Sequence, residues 1–355
     1  MNYNSKLITD TSASIRPLDQ AFFDKAVSRL DQLTKPKGSL GKLENIAARI
    51  VAITGDISPR IEKKAVFVLA SDHGITDEGI SAYPKEVTAQ MVFNFLNDGA
   101  AINAIAGNTG TDVFVADIGV DYDFPDLDDL ISIKINKGTN NFLKKSAMTP
   151  EHAVKSIEAG IKIAEKAALH GYSIIAAGEM GIGNTTSAAA VICLCLNMEA
   201  SDVVGYGTGI DKKTWLQKVE TVSKAVSKYN KKGITPLEIL GCVGGYEIGG
   251  IAGLLLGCAS KRLPVVVDGF ISSAAACLAI NLCPQVREYL FFGHISAEKG
   301  HRLVMEKIDA DTILDMDLRL GEGTGAVLAI PIIESALAAY NNMNTFEEAA
   351  VSNIK

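Results

Sequence analysis

The 355 residues carry 34 Lys+Arg against 41 Asp+Glu, a formal net charge of −7, with 48% hydrophobic and 21% charged residues. That much apolar material excludes disorder over most of the length, and the acidic balance argues against a nucleic-acid binder, which needs a clustered basic surface. The length admits two domains, or one large α/β domain with an appendage.

Residues 1–16 are polar and lack the apolar stretch of an export signal. Two helices are expected within 17–55, joined by Lys35-Pro36-Lys37-Gly38-Ser39-Leu40-Gly41. Five β-branched or aromatic runs follow at 65–70, 112–116, 172–177, 263–267 and 288–292, each ending in a polar, Gly-containing turn. Continuous apolar runs of this length fit parallel strands buried on both faces. Helices are expected over 86–106, 150–169, 184–198, 215–229, 235–259, 270–281 and 296–308, and again from 326 to about 350 with an interruption near 341–344. Strand, helix, strand in alternation predicts an α/β fold: a Rossmann-like, mostly parallel sheet with helices on both faces. The most apolar segments, 188–198, 251–259 and 326–339, are short or broken by Gly and Glu, so they read as buried helices rather than membrane spans. The expected division is 1–60 and 326–355 as a smaller helical part made from both chain ends, with 61–325 as the sheet domain. The six cysteines form no CxxC pair and only five His occur, so no metal site is expected; buried, reduced thiols suit a cytoplasmic protein.

Ligands of open parallel sheets bind at the carboxyl ends of the strands. Asp72, His73, Asp117, Glu179, Asp268 and His294 fall there in the predicted pattern. Four segments add chemistry. Gly178-Glu179-Met180-Gly181-Ile182-Gly183-Asn184-Thr185-Thr186 joins a strand end to a helix start, where free N–H groups make a phosphate cradle. It lacks the Gly-Lys-Ser/Thr of a P-loop and the spacing of a dinucleotide fingerprint, which disfavours a nicotinamide-dependent dehydrogenase. Gly205-Tyr206-Gly207-Thr208-Gly209 is followed by Lys212, Lys213 and Lys218, any of which could carry charge toward a phosphate, although a solvated lysine is the commoner case. Leu320-Gly321-Glu322-Gly323-Thr324-Gly325 puts a carboxylate between glycines at a helix start, open to a ligand and suited to general-base work. Gly293-His294-Ile295-Ser296-Ala297-Glu298-Lys299-Gly300-His301 follows a strand with Ser296 as the expected N-cap; packed imidazoles are the simpler reading of its two His.

Together these segments, with Ser71-Asp72-His73-Gly74, Pro84-Lys85-Glu86-Val87-Thr88 and Val267-Asp268-Gly269-Phe270, resemble the nicotinate-nucleotide:dimethylbenzimidazole phosphoribosyltransferase family, in family order over about 16–340. The resemblance implies phosphoribosyl transfer from nicotinate mononucleotide to a benzimidazole, with no cofactor, no nucleic acid or membrane partner, and a homodimer. It implies Glu322 as catalytic base with Glu179 beside it. Gly181, Gly183, Asn184, Thr185, Lys218, Asp268 and Ser296 are implied at the phosphate and ribose, and Tyr83, Gln90, Met91, Met180 and Leu320 around the base. The family pattern has a small hydroxyl residue and a Gln where this chain has Tyr83 and Met91, which leaves the accepted base open. A non-catalytic nucleotide-phosphate sensor on the same fold is the competing expectation; it would need no exposed Glu between glycines.

Overall fold

The computed structural model describes residues 4–207 and 209–352; Thr208 of the second Gly-rich segment lies outside them. Among the described residues seven strands form one sheet: β1 (Lys64–Ser71), β2 (Asp112–Gly119), β3 (Leu130–Ser132), β4 (Ile174–Met180), β5 (Val265–Val267), β6 (Leu290–Ile295) and β7 (Thr312–Asp315). Their order is β3-β2-β1-β4-β5-β6-β7 and every pair is parallel. The expected α/β fold is therefore present. The chain winds outward from β1 through β2 and β3, then returns to add β4 on the other side of β1. The carboxyl ends of β1 and β4 thus flank the topological switch point, where open sheets of this kind leave a crevice. Strand β1 is buried along nearly its whole length, as its unbroken apolar run requires when helices cover both faces.

Strands β3 and β7 are not among the predicted runs. Both are short edge strands with partly exposed residues, so neither carries the continuous apolar signal. Helix Lys6–Ser14 also falls in the stretch read only as polar; Ser5 caps it by accepting from Ile8 N at 3.2 Å. Two long helices prove to be pairs. The 86–106 segment divides into Val87–Leu96 and Ala101–Thr109, with Asp98 at φ +54° between them. The 235–259 segment divides at Gly244-Gly245 into Pro236–Val243 and Tyr246–Ser260. The last predicted helix before the tail starts later than expected, at His301 with Gly300 as N-cap, so Ser296 does not cap it. The tail helix is Thr324–Asn342; beyond it the chain turns instead of resuming a helix to 350.

Helix Thr324–Asn342 is long and apolar enough to cross a membrane by length and composition. Here it packs on β4, β5 and β6 and on helix Lys42–Thr54. The two chain ends also meet directly: Thr34 N donates to Asn344 O at 3.0 Å, Phe346 N to Gln32 O at 2.9 Å, and Arg29 Nε to Tyr340 O at 3.0 Å. The cysteines are all free thiols; Cys193, Cys258, Cys277 and Cys283 are buried.

Candidate functional site

A cavity of about 680 Å³ opens at the carboxyl edge of the sheet. It collects residues from sequence positions more than 200 apart: Tyr83, Met91, Glu179, Met180, Gly181, Asn184, Thr185, Asp268, Ser296, Leu320 and Glu322 all line it. Of the expected site residues, Gly183, Lys218 and Gln90 do not line the cavity; Gln90 is exposed on helix Val87–Leu96, whereas Met91, one position on, lines it. A one-residue step on a helix turns the side chain by about 100°, enough to change face.

The Glu322 loop is shaped by three consecutive left-handed residues, Gly321 (φ +88°), Glu322 (φ +63°) and Gly323 (φ +86°). A left-handed non-glycine residue costs about 1–2 kcal/mol, so the surroundings must hold it. Glu322 N donates to Glu179 O at 3.3 Å, and Ile102 N, in the first turn of helix Ala101–Thr109, donates to Glu322 Oε2 at 3.2 Å. The helix start Thr324–Asn342 has no side-chain cap of its own; Asp268 supplies one from β5's end, accepting from Ala326 N at 2.8 Å. Asp268 therefore fixes the loop that presents Glu322, in addition to forming cavity wall. Gly178 on β4 is equally involved, because a Cβ there would lie 2.5 Å from Glu322 O. We expect Gly178→Ala to displace the Glu322 loop and lower kcat by about 100-fold, the scale of a 1 Å misplacement; steady-state kinetics beside a circular-dichroism melt would show it, and native kcat in a folded variant would contradict it.

Two carboxyls thus share one cavity. Glu322 is 5% exposed and Glu179 4%. Burial, reinforced by the Asp268 charge and opposed by the Ile102 N–H, raises the Glu322 pKa above the usual carboxylate value. Glu179 lies well above it: burial is the main cause, and Asp268, Glu247 and Glu322 add negative potential, while Asn184 Nδ2 donates to Glu179 Oε2. The pair is graded, with Glu179 the harder of the two to ionise.

Beside Glu179 the cradle takes form. Gly183 (φ +91°) ends the turn, and Asn184 begins helix Asn184–Leu196 with no side-chain cap, Asn184 N and Thr186 N donating within the turn to Gly181 O at 3.1 Å and Gly183 O at 3.0 Å. Lys218, 2% exposed on helix Lys212–Tyr229, reaches back to donate to Thr185 Oγ1 at 2.8 Å. Burial pushes its ammonium down to about 8, against the favourable charge of Glu298. A buried ammonium with one donor used is poised for an anion. Lys212 and Lys213 are exposed and take no part. Ser296 lines the cavity and its Oγ accepts from Glu298 N at 3.3 Å.

Of the strand-end residues, His294 lines the cavity with its Nε2 3.8 Å from Asp268 Oδ1, whereas Asp72, His73 and Asp117 do not line it. Asp117 pairs with Lys134 at 3.0 Å. His301 is structural: its Nδ1 accepts from Ser296 N at 2.7 Å, its Nε2 faces Ser273 Oγ at 2.9 Å, and burial pushes it down to about 3, so it stays neutral. Sequence reasoning missed Ile102, whose contribution is a backbone N–H and leaves no trace in residue type. It also missed Glu298 and Glu247; a lone carboxylate in the apolar, Gly-rich stretch 246–260 was the available signal for the latter.

Comparison with known proteins gives the family. Residues 15–351 match a family model described as a phosphoribosyltransferase. The nicotinate-nucleotide–dimethylbenzimidazole phosphoribosyltransferase of Geobacter metallireducens is 50% identical over 97% of this chain and 98% of its own; that of Pelodictyon phaeoclathratiforme is 48% identical over 95% and 96%. The crystal structure of CobT from Thermus thermophilus superposes with a TM-score of 0.91 at 45% identity, covering 94% of this chain and all of the other. With matches of this extent the chain belongs to the nicotinate-nucleotide–dimethylbenzimidazole phosphoribosyltransferase family.

Proposed function

We propose that the cavity transfers the phosphoribosyl group of nicotinate mononucleotide to 5,6-dimethylbenzimidazole or a related base, releasing nicotinate and forming α-ribazole 5′-phosphate. The observation that carries this reading is one cavity lined by a buried carboxylate between glycines, Glu322, and by Asn184 and Thr185 at a helix start, with buried Lys218 behind that wall donating to Thr185 Oγ1. The helix start, Thr185 and Lys218 hold the 5′-phosphate, which fixes ribose C1′; such positioning supplies several kcal/mol of barrier lowering. The base rests against Met91, Met180 and Leu320, with Tyr83 at the rim. Its unprotonated nitrogen attacks C1′ from the face opposite nicotinate, and the C1′–N bond to nicotinate breaks with the pair returning to the pyridine ring. The anomeric centre inverts from β to α. Glu322 takes the proton from the other azole nitrogen, a role worth about 10²–10⁴-fold. Burial disfavours the ionised form of Glu179; the cationic pyridinium of the donor offsets this, and an ionised Glu179 faces the positive charge developing on the ribose.

Incubation with nicotinate mononucleotide and dimethylbenzimidazole, followed by mass spectrometry, tests the reaction. α-Ribazole phosphate in equal amount to released nicotinate is expected. Donor binding without product would favour the sensor reading. With Met91 and Tyr83 in place of the family's Gln and small hydroxyl residue, the acceptor is recognised mainly by shape, so a panel of benzimidazoles, adenine and phenols is the companion assay. A cytoplasmic homodimer, implied by the family resemblance, belongs to the same proposal; sedimentation at twice the 37.6 kDa chain mass is its check. So does the division at 60 and 325, supported by the direct bonds between the two chain ends.

A further inference from the structure

Behind the Gly181–Gly183 turn lies a row of three side chains that touch none of the reacting groups above, although the Glu247 charge adds to the potential at Glu179. His73 Nε2 is 2.7 Å from Glu247 Oε1, and His73 Nδ1 is 2.9 Å from Ser187 Oγ. Exposure is 2% for His73 and nil for Glu247 and Ser187. None of them lines the cavity. A Ser–His–Glu row suggests a nucleophile, but a sealed hydroxyl meets no substrate, so a hydrolytic role is excluded.

The placement points elsewhere. His73 follows β1, Glu247 lies in the first turn of helix Tyr246–Ser260, and Ser187 lies in the opening turns of helix Asn184–Leu196, the helix whose start is the phosphate cradle. The imidazole therefore joins two helix starts across the switch point between β1 and β4. The cradle turn packs beside the same residue: a Cβ at Gly181 would lie 2.3 Å from Ser71 O and 3.3 Å from His73 Cδ2 and Nε2, and one at Gly183 would lie 2.7 Å from Thr76 Cγ2 and 3.4 Å from His73 Cβ. Hydrogen bonding sets the direction of the row. A carboxylate can only accept, so Nε2–H donates to Glu247; in the neutral ring Nδ1 then accepts from the Ser187 hydroxyl. Glu247 Oε2 has no partner among the described residues, so removing the imidazole would leave a buried carboxylate wholly unpaired, at considerable cost.

We infer that His73, held between Glu247 and Ser187, is a positioning residue for the donor's phosphate: it sets the height and angle of the Gly181–Asn184 turn without touching substrate. This rests on the phosphate-site reading given under the proposed function. The experiment measures inhibition by inorganic phosphate, KM for nicotinate mononucleotide, KM for the base, and melting temperature in Ser187→Ala, His73→Asn, Glu247→Gln and Glu247→Ala. For His73→Asn and Glu247→Ala the phosphate inhibition constant and the donor KM should both rise about tenfold, the equivalent of one lost buried hydrogen bond. Ser187→Ala should raise both about threefold, with base KM within about twofold of the starting protein. Glu247→Gln still accepts from Nε2–H and should restore phosphate affinity to within about threefold. Should His73→Asn fail to fold, Ser187→Ala and the Glu247 pair decide the matter. Unchanged phosphate inhibition in folded variants overturns the inference, as does an equal rise in donor and base KM, which marks a general structural role. If the unmodified protein does not bind inorganic phosphate at all, the phosphate site itself falls and this inference with it.

Discussion

Glu322→Gln is expected to lower kcat by at least about 100-fold, the magnitude of a lost general base, while melting like the parent protein. The amide oxygen of Gln can still accept from Ile102 N–H, so the 3.2 Å bond that anchors the side chain survives. The backbone strain at φ +63° is the same for Glu and Gln. What disappears is the ability to take a proton. The pH profile separates this from a positional effect. Only ionised Glu322 is a base, and burial raises its pKa, so the acidic limb of kcat in the parent should lie above the ordinary carboxylate value. In Glu322→Gln that limb should be lost from the residual rate. Near-native turnover would remove Glu322 from the role.

Lys218→Met is expected to move binding and stability in opposite directions. Charged hydrogen bonds to a phosphate are worth about 1.5–3 kcal/mol, so the donor KM should rise by about 10- to 100-fold while the base KM stays near its starting value. Stability should rise. The Lys218 pKa falls from 10.5 to about 8 on folding, which means that the folded state holds the proton less well than the unfolded chain. That penalty is fully present below pH 8 and is relieved as pH rises toward 10.5. The upper bound is about 3 kcal/mol, offset by the bond lost at Thr185. Thermal melts at pH 7 and pH 10 in phosphate-free buffer check the sign: the variant should melt higher at pH 7, with the difference shrinking at pH 10. A lower melting temperature at pH 7 would mean that Lys218 stabilises the empty site.

Much of the architecture is readable from the chain because buried parallel strands and apolar helices write their periods plainly. Helix Pro150–Leu169 begins at Thr149-Pro150, a capping hydroxyl followed by proline at the first helical position, and both of its ends fall where the sequence predicts them. Strands β3 and β7 escape because edge strands of three and four residues have no period to show. The breaks at 97–100 and 244–245 escape for another reason. Each sits inside an apolar stretch whose composition favours helix on both sides, and only the tertiary path of the chain stops it.

The candidate site divides in the same way. The side chains of Glu322, Glu179, Asn184 and Thr185 are visible because glycines on either side have one physical use, a left-handed or closely approached backbone. Gln90 falls one residue off the cavity face. The Ile102 amide and the Asp268 cap belong to elements far from residue 322 in sequence, and no local pattern records them. By local pattern Lys218 is indistinguishable from Lys212 and Lys213; the family resemblance points to it, and its burial sets it apart in the fold.

A structure with α-ribazole phosphate bound would probe the central claim most directly. The reading predicts one Glu322 carboxylate oxygen within about 2.6–3.2 Å of the azole nitrogen not joined to ribose, the reach of a proton acceptor, with the phosphate on Thr185 and Lys218. A Glu322 side chain turned away from that nitrogen, with Glu179 or water in its place, would contradict it.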